Sequence, residues 1–296
     1  MPEREIESNA DAALAAPVKA EPVAWGAKAA RTMDGDTMLR AMVAACLAQI
    51  HPNADAIARG SLDPEHVHQL RVGLRRLRSA VRGMRPFEAR LPPGWDVAIR
   101  PVFDALGRAR DRQVQATELA AKLREAGAPV DDLAGPSEEE ARALRRLVRA
   151  DGFQGALRRL AAYADSYVAE TDRGDTGSGI EHLQRQLRKL RGQVTREARG
   201  FGELPFARQH QVRKRLKRLR YLAAFAAPAF GRKAVDEWMA EAAPAQDRLG
   251  ELIDLTLAAE RFASSAAAPW LRAQAERAAR KARKSLRRLR DAPAFW

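Results

Sequence analysis

Two stretches of the chain place a histidine ahead of a comb of cations: HQLRVGLRRLRSAVR at 68–82 and HQVRKRLKRLRYLAA at 210–224, which align without a gap from the histidine onward. At helical spacing His68, Arg71, Arg75, Arg78 and Arg82 fall on one stripe, beside a core stripe of Leu70, Leu74, Leu77 and Val81. The second copy repeats both, with His210, Arg213, Lys217 and Arg220 beside Val212, Leu216, Leu219 and Ala223. Over 68–82 the stripe is about 20 Å long at a helical rise of ~1.5 Å per residue. Arg offers a forked set of donors that fits phosphate oxygens, Lys a compact charge, and His a donor that titrates near neutrality. Like charges at these spacings repel by a few tenths of a kcal/mol per pair, roughly. A long anion would compensate them. The neighbouring cations should push both histidines below their usual pKa, and a bound polyanion should raise them again. One such helix reads most simply as a solvated basic face. Two copies with matched histidines favour binding.

The 296 residues carry a formal charge of +14, and that charge is segregated. Residues 66–87 hold six Lys/Arg and no acid, 204–235 nine and no acid, and 272–290 nine against Glu276 alone. The remainder is net acidic, so the blocks mark concentrated fields for a polyanion. Arg82 at the end of the first stripe, and cations near the blocks, Arg185 and Lys189, then Lys281, Lys284 and Arg288, are weaker candidates for the same anion. The single cysteine, Cys46, lies in the apolar run AMVAACLA and reads as a buried structural thiol. The acidic start is unlike a secretory signal, and no stretch approaches the ~20 apolar residues of a membrane helix. The expectation is a cytoplasmic protein with no membrane association; nothing in the chain signals an oligomeric state.

The elements that must position the combs are helices. Expected spans are 37–58, 64–85, 96–126, 137–169, 179–200, 205–227, 233–262 and 269–290, with breaks at LPPG (91–94), GAPVDDLAGP (127–136), RGDTGSG (173–179) and AFGRK (229–233). Asp63 caps the first basic helix with Pro64 at its first position, and Pro205 opens the second. Residues 1–31 lack periodicity and read as a flexible tail or linker. LGRARDRQV at 106–114 and LGELIDLTL at 249–257 extend the repeat, shifted by a single position from the register of the combs, and match Asp111 with Asp254. The reading is all-α: a duplicated four-helix unit, with repeat one at about 32–172 and repeat two at about 176–296, related by a pseudo-twofold axis.

An enzyme is not expected. No His-Asp pair or Cys/His spacing suits a metal site, no cofactor motif is present, and Glu138, Glu139 and Glu140 read as the acidic first turn of a helix. The histidine of HQLRVG loosely suggests a phosphotransfer bundle, but the cations around it disfavour docking of a receiver. Non-specific nucleic-acid binding is the rival, since cationic helices hold DNA or RNA backbones. Aromatics are only 6% of the chain, however, and Tyr221 is the one aromatic within the combs, so stacking surfaces are scarce there. Charge without base readout favours a polymer that is all backbone.

The pattern H-x-x-R-x-x-x-R-R-x-R, then LGRARD, then H-x-x-R-x-x-x-K-R-x-R-Y ending at Tyr221, resembles the CHAD domain, the conserved-histidine α-helical domain, over about 32–296. The resemblance implies two four-helix bundles around a basic central channel that binds inorganic polyphosphate, often at polyphosphate granules. Carried over residue by residue, it implies roles in binding for His68, Arg71, Arg75, Arg76 and Arg78, and for His210, Arg213, Lys217, Arg218, Arg220 and Tyr221; Lys214 joins them by position. APVKAEPVAW is similar to the linker that follows a CYTH-type triphosphate-tunnel domain, a partner expected only in a longer chain. Arg112 and Gln113 depart from the acidic run more common after the RD pair, which leaves Asp111 with a role in helix packing.

Overall fold

The computed structural model describes residues 15–125, 135–166 and 177–296, apart from Pro22, Ala24 and Leu62. The breaks read at 127–136 and 173–179 lie mostly outside the described residues, as does the first part of the expected tail. The described residues form helices and one isolated bridge, Asp34 to Ser178. In chain order these are α1 (Ala27–Thr32), α2 (Gly35–Arg59), α3 (Pro64–Gly83), α4 (Trp95–Val114), α5 (Ala120–Glu125), α6 (Glu138–Arg149), α7 (Asp151–Asp165), α8 (Gly179–Arg199), α9 (Phe206–Ala226), α10 (Arg232–Arg261) and α11 (Ala268–Asp291). The fold is all-α.

Local chemistry sets most of these ends. Asp34, Asp63, Ser137 and Ser178 each accept a hydrogen bond from a first-turn backbone N–H, satisfying donors the helix cannot reach itself. Gly60, at φ 110°, ends α2 in the left-handed region that favours glycine. The span expected at 137–169 divides instead at Ala150, whose backbone is extended (ψ 137°). The Gln154 side chain then donates to the stranded Val148 carbonyl at 2.7 Å. At 96–126 the path holds, but with a wide turn over Gln115–Leu119 between α4 and α5.

From Ala15 onward, the segment read as a tail is held to the helices. The Asn53 side chain brackets Val18, accepting from its N–H at 3.3 Å and donating to its carbonyl at 2.8 Å. His66 Nε2 donates to the Ala15 carbonyl at 3.0 Å, and its Nδ1 accepts from Ser61 at 2.6 Å. Arg31 in α1 reaches the Ala229 carbonyl at 2.9 Å. A strand of chain that pairs with side chains of other helices has no periodicity to reveal it.

Both core stripes are buried: Leu70, Leu74, Leu77 and Val81 in α3, and Val212, Leu216, Leu219 and Ala223 in α9. Each large aliphatic side chain so buried contributes roughly 1.5–3 kcal/mol. α2 packs on α3, α6 and α7, while α9 packs on α8 and α10; α3 then meets α9 directly. The approach is close because Gly83 presents no side chain, and a Cβ there would stand 2.6 Å from Leu222. Burying one stripe of each helix at this junction turns the adjacent cations towards a shared space.

Candidate anion-binding site

That space is a cavity of about 1560 Å³ lined by α3, α4, α5, α9, α10 and the segment 85–94. From α3 it receives His68, Arg71, Arg75, Arg78 and Arg82, and from α9 His210, Arg213, Lys214, Lys217 and Arg218. The two combs, far apart in the chain, thus face one volume. Arg76, Arg220 and Tyr221 are not among the lining residues. Arg76 is buried, donates to Gln49 at 2.8 Å and lies 5.2 Å over the Phe225 ring. Arg220 has its Nε buried without a partner. Arg185 and Lys189 on α8, and Lys281, Lys284 and Arg288 on α11, are exposed and lie outside the cavity.

The arginines are aimed rather than loose. Arg71 donates to the Phe103 carbonyl at 3.1 Å, and the Phe103 ring carries the guanidiniums of Arg71, Arg75 and Arg78 at 4.9, 5.9 and 5.1 Å. Arg78 pairs with Asp96 at 2.8 Å, and Arg213 with Asp254 at 3.9 Å. The glycine of the first LG motif makes room for this, whereas at the second a side chain would make an ordinary contact. A Cβ on Gly107 would stand 2.6 Å from the Arg71 guanidinium, and one on Gly250 would stand 3.4 Å from that of Arg213. Glycine inside a helix costs about 1 kcal/mol against alanine; at Gly107 it lets a guanidinium lie on the helix backbone.

Twelve Lys/Arg and six carboxylates line the cavity among the described residues. The excess shows in the titrating groups. Burial, then Arg75, Arg213 and Arg71, bring Lys217 down to about 6, although Asp254 opposes them. Burial and Arg75 also bring Arg71 to about 10. His68 is lowered by burial and by Arg110, and His210 by burial and by Lys214. Burial leads both histidine shifts, ahead of the neighbouring cations invoked from the sequence. Arg218 is lowered by burial and by Arg82. The lining itself holds more positive charge than its own acids balance, and Arg75, Arg213 and Arg71 add to burial in lowering Lys217. Chemically, the arrangement can hold an extended anion with many oxygens.

Sequence reasoning missed several lining groups: Arg85, Arg110, Lys122 and Arg248 among the cations, and the aromatics Trp95 and Phe103. A signal was present. WDVAIRPVFDALGRARD at 95–111 and WMAEAAPAQDRLGELID at 238–254 align without a gap through Trp, Pro, Asp, Leu, Gly and Asp. The repeat therefore includes the whole helix that faces each comb. Asp111, read as a packing residue, lines the cavity and opposes the lowering of Arg71. Arg112 turns to Glu140 at 2.8 Å. Cys46 is buried, with its thiol pushed up to about 12. Among the described residues no His, Cys, Asp and Glu group is arranged to hold a metal, and no helix is long and apolar enough to cross a membrane.

Comparison with known proteins agrees with this architecture. The structure is similar to the crystal structure of the CHAD domain from the plant Ricinus communis, with a TM-score of 0.72 and 24% identity, over 95% of this chain and 99% of that one. None of the curated proteins matches. The CHAD domain sequence profile matches residues 41–263, a span holding both histidine combs and both LG helices, and so the chain belongs to the CHAD family.

Proposed function

We propose that this protein binds inorganic polyphosphate in the cavity between α3 and α9, and that it acts by binding and not by catalysis. The observation that carries the reading is the convergence of the two combs on one cavity around Lys217, whose pKa burial first, and then the cations of both combs, bring down to about 6. Such a wall is completed by a ligand of repeating negative charge. The matched helices support a duplicated four-helix unit with pseudo-twofold symmetry, whose halves each supply one wall of a central channel. A linear polymer would then meet cations along both walls. A cytoplasmic role at polyphosphate granules follows from this ligand, and a CYTH-type triphosphate-tunnel domain is a partner of matching chemistry in a longer chain.

The competing reading is non-specific binding of RNA or DNA backbones. The test is direct binding of long-chain polyphosphate, single-stranded RNA and duplex DNA at one near-physiological salt concentration, matched in total phosphate. Polyphosphate is expected to bind most tightly, because the combs supply charge contacts without base readout. Equal or tighter binding of RNA would overturn the polyphosphate reading.

A further inference from the structure

The two halves of the cavity differ at one position of the repeat. Trp95 and Trp238 are counterparts, each at the start of an LG-helix motif. Trp238 is 1% exposed and packs edge-on against Phe295 and Trp296, with ring centroids 5.8 and 5.0 Å away. Trp95 has no such cover: it is half-buried and lines the cavity. The difference extends to its neighbours. Arg78 lines the cavity and pairs with Asp96, next to Trp95, whereas Arg220, its counterpart in the other comb, does not line it. Phe103, which carries three guanidiniums, is matched by Gln246 in the other half.

A featureless phosphate polymer has no use for a ring at one end of its site. A ligand with both a phosphate chain and a flat aromatic group does. We propose that the Trp95 end of the cavity is a subsite for nucleoside polyphosphates, with the base against the Trp95 ring and the phosphates on Arg78, Arg82 and the α9 cations. Base–aromatic stacking tolerates any base, so the subsite reads the presence of a base and not its identity. The proposal rests on the reading that the cavity binds phosphate chains, and it adds a second class of ligand to that site.

The probes are ATP and inorganic tripolyphosphate, measured by calorimetry at one salt concentration and pH. Tripolyphosphate carries at least as much charge on the same three phosphates, so a purely electrostatic cavity holds it as tightly as ATP or more tightly. The expected result is ATP ahead by about fivefold or more, the low end of the range for base–aromatic stacking. Trp95→Leu should remove that advantage while tripolyphosphate affinity stays within about twofold. Trp95→Phe should restore the affinity for ATP and abolish the tryptophan fluorescence change that ATP, but not tripolyphosphate, produces in the wild-type protein. ATP binding no more tightly than tripolyphosphate in the wild-type chain would overturn the nucleotide subsite and leave the polyphosphate reading standing. Failure of both probes and of long-chain polyphosphate would overturn both readings together. The wild-type comparison decides the matter even where Trp95→Leu fails to fold.

Discussion

Lys217 is the residue whose chemistry binding should change most. With a free-state pKa of about 6 it is largely neutral at pH 7.5, among Arg71, Arg75 and Arg213. A bound polyanion reverses the local field and raises that pKa, so binding takes up a proton between the free and bound values. Affinity should therefore rise as pH falls from about 8 towards 6 and level off below, where the free protein is already protonated. The lowered His68 and His210 add uptake of the same sign at the acid end of that window. Lys217→Arg should bind more tightly at pH 8 and show a flatter pH profile, measured as proton uptake in buffers of different ionisation enthalpy. An unchanged uptake would remove Lys217 from the site. Folding carries the opposite signature. The unfolded lysine takes up its proton near its usual 10.5, the folded one only near 6, so stability is lost as pH falls through that window. Lys217→Met should raise the thermal midpoint at pH 7.5, with a gain that shrinks towards pH 10.5.

Arg76 and Arg78 make a second test at this scale. Both sit in the comb, yet Arg76 is buried against Gln49 and Arg78 lines the cavity. Arg76→Ala strands the buried Oε1 of the Gln49 side chain and should cost about 1–3 kcal/mol of stability with little change in affinity for the folded protein. Arg78→Ala should weaken polyphosphate binding with a smaller loss of stability, since its partner Asp96 is also held by Arg100 at 3.3 Å. Thermal melts and calorimetry on both variants separate the two roles. A matching loss of affinity in both would mean that Arg76 reaches the anion.

At the scale of the element, the glycine of the first LG helix decides how Arg71 lies. An alanine at 107 meets the end of the Arg71 side chain at 2.6 Å, and that flexible end can move. Gly107→Ala should therefore keep or raise helix stability, by up to ~1 kcal/mol from propensity, while displacing Arg71 and weakening polyphosphate binding. Gly250→Ala meets Arg213 at 3.4 Å, an ordinary contact, and should leave affinity nearly unchanged. Equal effects of the two alanines on affinity would rule out this account of Gly107. Helix boundaries show a similar division between local and distant causes. Caps such as Asp63 with Pro64 are written in adjacent residues, so α3 begins where its sequence says. The break at Ala150 is less visible, because its stranded Val148 carbonyl is satisfied by the Gln154 side chain, beyond the break itself.

For the whole molecule, the two combs should act as one site. Replacing Arg71, Arg75 and Arg78 by Ala, or separately Arg213, Lys217 and Arg218, should each weaken polyphosphate binding by on the order of tenfold or more, since charge-assisted contacts to phosphate are lost from one wall. Circular dichroism should stay helical in both. The second replacement should also leave the thermal midpoint unchanged or higher, because it relieves repulsion within the cavity. Loss of binding from only one of the two would mean that the cavity has a single working wall. In each case the slope of affinity against salt should fall, which distinguishes lost charge contacts from lost shape.

The residues by themselves determined that this chain is helical, that His68 and His210 head matched combs, and that each comb flanks a stripe destined for burial. Those properties follow from period, capping and charge along neighbouring positions, and they survive any arrangement of the helices. Which flank of each stripe faces the anion was decided only when α3 and α9 packed together at Gly83. That contact buried Arg76 while placing Arg71, Arg75 and Arg78 in the cavity. The same packing brought in Trp95, Phe103 and Arg110 from α4, too far along the chain for any periodicity to assign them to the combs. It also docked residues from Ala15 onward, through side chains of α2 and α3 that no local signal could name. The lowered pKa of Lys217 belongs wholly to the tertiary structure, because its first cause is burial and its next is the charge of Arg75, on the helix that carries the other comb.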